Sequence, residues 1–192
     1  MRRRMRISFN APVVLSFVFL CFAATLLGQA TGGASNPVLF MVYRASLRSP
    51  LTYVRFFTHV MGHVDWSHFV GNVSYLLLLG PMLEEKYGSA KIVEVIASAA
   101  FVTGIVNFAF FPTIALCGAS GVVFAFILLA SFAGFRSGEI PLTFVLVAVV
   151  FIGQQVYDGI TLQDNISNLS HILGGVVGAV LGFKLNIRAE SF

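Results

Sequence analysis

The sequence predicts an all-α membrane protein, a bundle of six transmembrane helices. Hydrophobic residues make up 57% of the 192-residue chain and charged residues only 10%, whereas soluble domains carry about a quarter charged residues. A soluble fold with so few charges lacks the polar surface to cover its core, and disorder requires the opposite composition. Six apolar runs are long enough, or nearly long enough, to cross the hydrocarbon core of a bilayer.

Each predicted span is an apolar run with at most one charged or imidazole side chain. The second run contains only His68, the third only Glu94 and the sixth only His171, while the other three contain none. Lipid offers no hydrogen-bond partners to the backbone, so each run must be helical to cross. The predicted spans are residues 11–30, 66–83, 92–111, 119–135, 140–157 and 165–183.

The connections between these spans are short, except for the first. Polar or Gly/Pro-containing turns are predicted at 84–89, 111–118, 134–139 and 158–164. The connection 31–65 is longer and rich in aromatic and aliphatic residues. A connection of that length rarely lacks structure, so we expect short helices lying in the membrane interface. No domain boundary is visible, which predicts a single membrane domain over residues 1–192 after a short basic segment of about ten residues.

The basic residues predict the orientation in the membrane. The net charge of +4 is small and unevenly placed, which indicates topology rather than a nucleic-acid surface. The N-terminal run also resembles a signal peptide but is longer than a usual signal core, so we expect it to remain as the first span. Both termini are expected to be cytoplasmic, and the small chain favours a bacterial plasma membrane. This orientation leaves Arg44, Arg48 and Arg55 outside and places nine residues inside, namely Arg2, Arg3, Arg4, Arg6, Lys86, Lys91, Arg136, Lys184 and Arg188.

The second and sixth spans each contain histidine and asparagine side chains, which are costly in a membrane and usually functional. His68 and Asn72 are four residues apart, so they share one helix face about 6 Å apart along the axis. His171 shares a face of the sixth span with Gly174 and Gly178, and these glycines allow a neighbouring helix to come close. The alternative interpretation of both patterns is helix packing with hydrogen-bonded side chains.

Ser120 lies where a polar loop becomes an apolar helix, within the segment Gly118-Ala119-Ser120-Gly121. The free amides of a helix N-terminus favour developing negative charge, and Gly118 and Gly121 permit a tight turn and a close approach. A serine that merely caps the helix is the alternative.

Together these residues match the needs of acyl transfer. A serine nucleophile requires a base, and His171 is the histidine far along the chain from the other three. His68, Asn72 and the amide of Ser120 are suitable donors to an oxyanion. Asp164, the nearest upstream acid, is roughly 10 Å along a helix from His171, so a Ser–His dyad is favoured over a triad. Neither a metal nor another cofactor is expected.

These motifs resemble those of the rhomboid family of intramembrane serine proteases, over about residues 53–183. His63-x4-His68-x3-Asn72 resembles the motif of the family's second span, and Glu85-x2-Gly88-Ser89 resembles the turn after it. Gly118-Ala119-Ser120-Gly121 resembles the nucleophile motif, and Ser170-His171-x2-Gly174-x3-Gly178 resembles the base motif.

The resemblance implies a rhomboid-like bundle that cleaves transmembrane segments of single-span proteins within the lipid bilayer. Ser120 would be the nucleophile, His171 the general base, and His68, Asn72 and the Ser120 amide the oxyanion hole. The site would open toward the outer face below the bilayer surface, with the fifth span beside the substrate's path. The supporting residues would be Gly118, Gly121, Phe124, Gly174 and Gly178.

The chain departs from the family pattern at three positions. Phe124 stands where the family often has Tyr, Val54 where a Trp precedes Arg55, and Ser170 where Ala usually precedes the base. The phenyl ring of Phe124 retains the capacity to stack on His171.

Two other functions compete with this interpretation. A zinc hydrolase would use His59, His63 and His68, but the chain contains no H-E-x-x-H motif. A catalytically silent relative would bind membrane-protein clients without cleaving them. Such proteins usually lack the serine or the histidine, and both are present here.

Overall fold

A computed structural model of the chain describes residues 8–132, 139–161 and 165–189, and the regular secondary structure of this part is helical, with no β-strand. It begins with α1 (Pro12–Ala30), a π-helical turn (Asn36–Phe40) and α2 (Pro50–Thr58). The remaining helices are α3 (Trp66–Tyr87), α4 (Ser89–Phe110), α5 (Ser120–Ser131), α6 (Leu142–Thr161) and α7 (Asn165–Ala189). The predicted all-α membrane fold is confirmed.

Six of these helices overlap the six predicted spans, although several helix ends differ from the predicted span ends. The helices α3, α6 and α7 run past the predicted span ends, to Tyr87, Thr161 and Ala189. The helix α5 ends before the predicted end of the fourth span, at Ser131. Three helical segments of the described chain have the length and hydropathy to cross a membrane, namely Pro12–Ala30, Ser89–Phe110 and Asn168–Asn186. The six-span count therefore stays a prediction.

Several predictions fall on residues outside the described chain. These are the cytoplasmic position of the N-terminal arginines and of Arg136, most of the turn 134–139, and the end of the connection 158–164.

The helix α5 lies at the centre of the bundle and packs against α3, α4, α6 and α7. Its residues Val122, Ala125, Phe126 and Leu129 are buried. Its closest neighbour is α7, because α7 presents glycines to the backbone of α5. A Cβ atom added to Gly174 would overlap the carbonyl of Gly121, and one added to Gly178 would overlap the carbonyl of Ala125.

The first connection contains the expected short helical elements and is tied to the bundle by arginines. The guanidinium of Arg55 is buried and donates to the carbonyls of Pro37 and Val38 and to the hydroxyl of Tyr43. Arg44 donates from Nη2 to the carbonyl of Ala109, 2.7 Å away at the end of α4. Arg55 thus anchors the loop from inside the fold, although Val54 replaces the tryptophan of the family's pair.

The predicted polar turn 84–89 is mostly helix. α3 continues through Tyr87, and only Gly88, with a φ of +82°, separates it from α4. A left-handed glycine is a common way to end a helix.

The acid of this turn that contacts the rest of the fold is Glu84. Its neighbour Glu85 is exposed. Glu84 is buried and accepts hydrogen bonds from the amides of Val13 and Val14, each 3.0 Å long, and from the Ser89 hydroxyl. The N-cap residue of α1 has no capping side chain. Glu84 therefore supplies from α3 the acceptors that the first turn of α1 lacks.

Candidate active site

Ser120 is the first residue of α5, and its side chain is half-buried. The N-cap position belongs to Ala119, and no side chain caps this helix. The alternative of a capping serine is therefore wrong. The Ser120 amide is one of the first-turn N–H groups that a helix leaves without an intrahelical acceptor.

His68 and Asn72 lie beside the loop that leads to Ser120. Gly118 has a φ of +127°, and a Cβ atom built on it would lie 2.7 Å from Nε2 of His68 and 3.8 Å from Nδ2 of Asn72. The Nδ2 atom of Asn72 is buried and has no hydrogen-bond partner. Buried amides are almost always paired, so an unpaired donor here is suited to a substrate oxygen.

The first turn of α3, which carries His68, is fixed by a cap that the sequence analysis missed. The carboxylate of Asp65 accepts a 2.7 Å hydrogen bond from the His68 amide. An Asp three residues before a helical residue is a recognisable N-cap signal, and this signal in the sequence could have identified Asp65.

His171 lies on α7 beside the first two turns of α5. Phe124, one turn after Ser120, stacks on the imidazole with ring centroids 4.3 Å apart and an interplanar angle of 9°. The position of a Cβ atom on Gly121 would be 3.6 Å from the carbonyl of Ser170. The helix turns that carry Ser120 and His171 are thus direct neighbours.

The other two histidines, His59 and His63 in the loop before α3, contact Gly118 and His68. The His59 carbonyl accepts a 2.9 Å hydrogen bond from the Gly118 amide, and its Nε2 lies 3.2 Å from the hydroxyl of Thr103 on α4. The imidazole of His63 packs against His68 with centroids 5.0 Å apart. The loop carrying His59 and His63 therefore supports both Gly118 and His68.

Both of these loop histidines are neutral at physiological pH. Burial lowers the pKa of His59 from 6.5 to about 4. Burial and the neighbouring His68 lower the pKa of His63 to about 4. Neutral imidazoles suit a buried loop, since a charge there would lack water.

Cys117, three residues before Ser120, has an unreactive thiol. Burial raises the pKa of its thiol to about 11. Because the thiolate is the nucleophilic form of cysteine, this thiol does not compete with a serine at neutral pH.

A Rhomboid domain model matches residues 50–188 of the chain. The chain is 26% identical over 178 residues to Rhomboid protease GlpG of Haemophilus influenzae, covering 91% of each protein. It is also 26% identical to Rhomboid protease GlpG of Salmonella paratyphi A, and there it covers 93% of this chain and 63% of that relative. The fold and the comparisons together define an intramembrane protease. The chain belongs to the rhomboid family.

Proposed function

We propose that this protein is an intramembrane serine endopeptidase that cleaves transmembrane segments of single-span membrane proteins with a Ser120–His171 dyad. The observation that carries the proposal is the buried, unpartnered Nδ2 of Asn72 beside His68 and Gly118. Nδ2 of Asn72 lies near Gly118, two residues before α5 begins, and an unpaired amide donor beside the N-terminus of that helix is suited to an oxyanion.

In the proposed reaction, the Ser120 hydroxyl attacks the carbonyl carbon of the scissile peptide while His171 accepts its proton. Nδ2 of Asn72, the His68 ring and the Ser120 amide donate to the resulting oxyanion. The C–N bond then breaks, and His171 gives the proton to the leaving amine. Water attacks the acyl-enzyme, with His171 again as base, and releases the carboxylic acid and the free serine.

The short helix α5 supports a site below the membrane surface. Its 12 residues span about 18 Å, which is less than the roughly 30 Å of a hydrocarbon core. We infer that Ser120 therefore lies within the outer part of the bilayer, reached by water from outside. We further propose one six-span domain over residues 1–192, with both termini cytoplasmic, in a bacterial plasma membrane.

The test is cleavage of a single-span reporter by the purified protein in liposomes, together with labelling by a fluorophosphonate. Ser120→Ala and His171→Ala are expected to fold and to lose cleavage, and Ser120→Ala is expected to lose the label. Ser131→Ala is the matched control, because Ser131 lies at the other end of α5 and bonds the carbonyl of Leu128. Cleavage by Ser120→Ala would overturn the nucleophile assignment, and loss of activity on chelation would favour the metal alternative.

A further inference from the structure

The side chains of helix α6 are only partly covered by the rest of the bundle. Among its residues 142–154, none is buried. Two of its rings contact rings on α5 or on Phe132, the residue that follows α5. Phe144 meets Phe132 with centroids 4.1 Å apart, and Phe151 meets Phe124 with centroids 4.6 Å apart. The two contacts differ because Phe124, the partner of Phe151, also stacks on the proposed base, His171.

Phe151, Phe124 and His171 form a continuous aromatic series. Phe151 packs edge-to-face on Phe124, with an interplanar angle of 82°, while Phe124 lies nearly parallel to the imidazole. Edge-to-face and offset stacked pairs are the favoured arrangements of aromatic rings. A rotation of the Phe124 ring away from the imidazole plane would disrupt both contacts at once.

Open volume, rather than packed side chains, flanks Phe151. One cavity of about 90 Å³ lies between α5, α6 and α7 and is lined by His171, Phe124 and Phe151. A second cavity of about 450 Å³ lies between α3, α5 and α6 and is also lined by Phe151. Phe151 thus lines both cavities. Truncating its ring would remove its edge-to-face contact with Phe124 and leave open volume on that side of Phe124.

We propose that Phe151 is a positioning residue of the protease, which holds Phe124 flat against His171 and so fixes the orientation of the imidazole toward Ser120. This rests on the proposed role of His171 as the base. The base of this enzyme would then be oriented by α6, a helix that contributes no catalytic group. Small misplacements of a catalytic group cost large factors in rate.

The experiment compares Phe151→Leu with Phe144→Leu. Phe144 lines the same cavity as Phe151, but its ring contact is with Phe132, so Phe144→Leu leaves the Phe151–Phe124 contact in place. We expect Phe151→Leu to lower the rate of Ser120 labelling by a small fluorophosphonate, and kcat for a transmembrane reporter, by about 10-fold or more, with KM within about 2-fold. Phe144→Leu should label at the wild-type rate, and Phe151→Tyr, which keeps the ring, should restore labelling. Unchanged labelling in Phe151→Leu, or faster reporter cleavage, would overturn the proposal, since a ring that only obstructs substrate access does not affect a small probe.

A second readout does not depend on activity. The Cε1 proton of His171, assigned by its loss in His171→Asn, should be shielded in the NMR spectrum by the Phe124 ring. Phe151→Leu should move this resonance downfield and Phe144→Leu should not. A resonance that stays in place in Phe151→Leu would overturn the positioning role. If the wild-type chain neither labelled nor cleaved, the proposed function would fail while this resonance still decided the role of Phe151.

Discussion

The imidazole of His68 lies directly against the backbone of Gly118. A Cβ atom at position 118 would stand 2.7 Å from both Cε1 and Nε2 of that ring. The amide of Gly118 is held on its other side by the carbonyl of His59. The loop before Ser120 is therefore fixed between two histidines, and a glycine is required there for space as well as for its φ of +127°.

Gly118→Ala is expected to displace His68 and lower kcat by about 10²–10³-fold, the cost of losing one oxyanion donor. The strained φ should also cost about 1–3 kcal/mol of stability. Reporter cleavage and thermal unfolding in detergent measure the two effects. Gly71→Ala on α3 is the control, because an added Cβ meets nothing within 4 Å there. Wild-type kcat in Gly118→Ala would contradict the assignment of His68 to the oxyanion hole.

Asn72 and Asn107 are two buried amides, of which the first is expected to support activity and the second stability. Nδ2 of Asn107 donates to the carbonyls of Val42 and Ile114, each at 3.0 Å, whereas Nδ2 of Asn72 has no partner. Asn72→Ala should lower kcat by about 10²–10³-fold while changing the free energy of unfolding by less than about 1 kcal/mol. Asn107→Ala should instead destabilise the fold by about 1–3 kcal/mol. A large stability loss in Asn72→Ala with kcat retained would give Asn72 a structural role.

Glu84 and Glu85 are adjacent acids, and only the first is expected to support the fold. Glu84→Gln replaces a carboxylate that accepts from two α1 amides and one hydroxyl, so we expect a loss of about 2–3 kcal/mol, typical of hydrogen bonds to a charged group. Glu85→Gln, at an exposed position, should stay within about 0.5 kcal/mol of wild type. Unfolding in detergent measures both. Equal effects of the two changes would mean that the contact with α1 contributes little.

The Glu84–Glu85 pair illustrates which features of the fold and the site can be predicted from the sequence alone. The apolar runs located six helices, and motif spacing brought Ser120, His68, Asn72 and His171 into one region. The choice of acid followed family resemblance and fell on Glu85. The helical period would have corrected it, since Leu76, Gly80 and Glu84 continue one buried face of α3 at intervals of four.

Other features were beyond the reach of sequence patterns because they depend on tertiary packing. The helices α3, α6 and α7 end beyond their apolar runs because backbone hydrogen bonding continues a helix through polar residues, which a hydropathy pattern does not mark. Arg55 was predicted only to lie on the outer side of the membrane, and its burial among loop carbonyls could not be predicted from the sequence. Phe151 was one apolar residue among many on α6, and only its position against Phe124 distinguishes it.

The α5–α7 contact depends on which glycines face the α5 backbone. A Cβ atom at Gly178 would overlap the carbonyl of Ala125, whereas one at Gly175 would rest 3.4 Å from a methyl group of Leu128. Gly178→Ala is therefore expected to separate the helices and destabilise the protein by about 1–3 kcal/mol, the usual cost of overpacking. Gly175→Ala should be neutral or slightly stabilising, because Ala is the better helix former. Unfolding in detergent separates the two, and an unaffected Gly178→Ala would show that α7 moves away without cost.

His59 and His63 predict how stability depends on pH. Both pKa values fall to about 4 in the folded protein, against about 6.5 for an unfolded histidine. Between these values the unfolded chain binds more protons, so the free energy of unfolding decreases as the pH falls from about 6.5 to about 4 and levels off below that. Each group contributes a slope approaching about 1.4 kcal/mol per pH unit within this window. His59→Gln should reduce the slope measured by unfolding across this range, and a slope unchanged by this substitution would show that His59 titrates alike in both states.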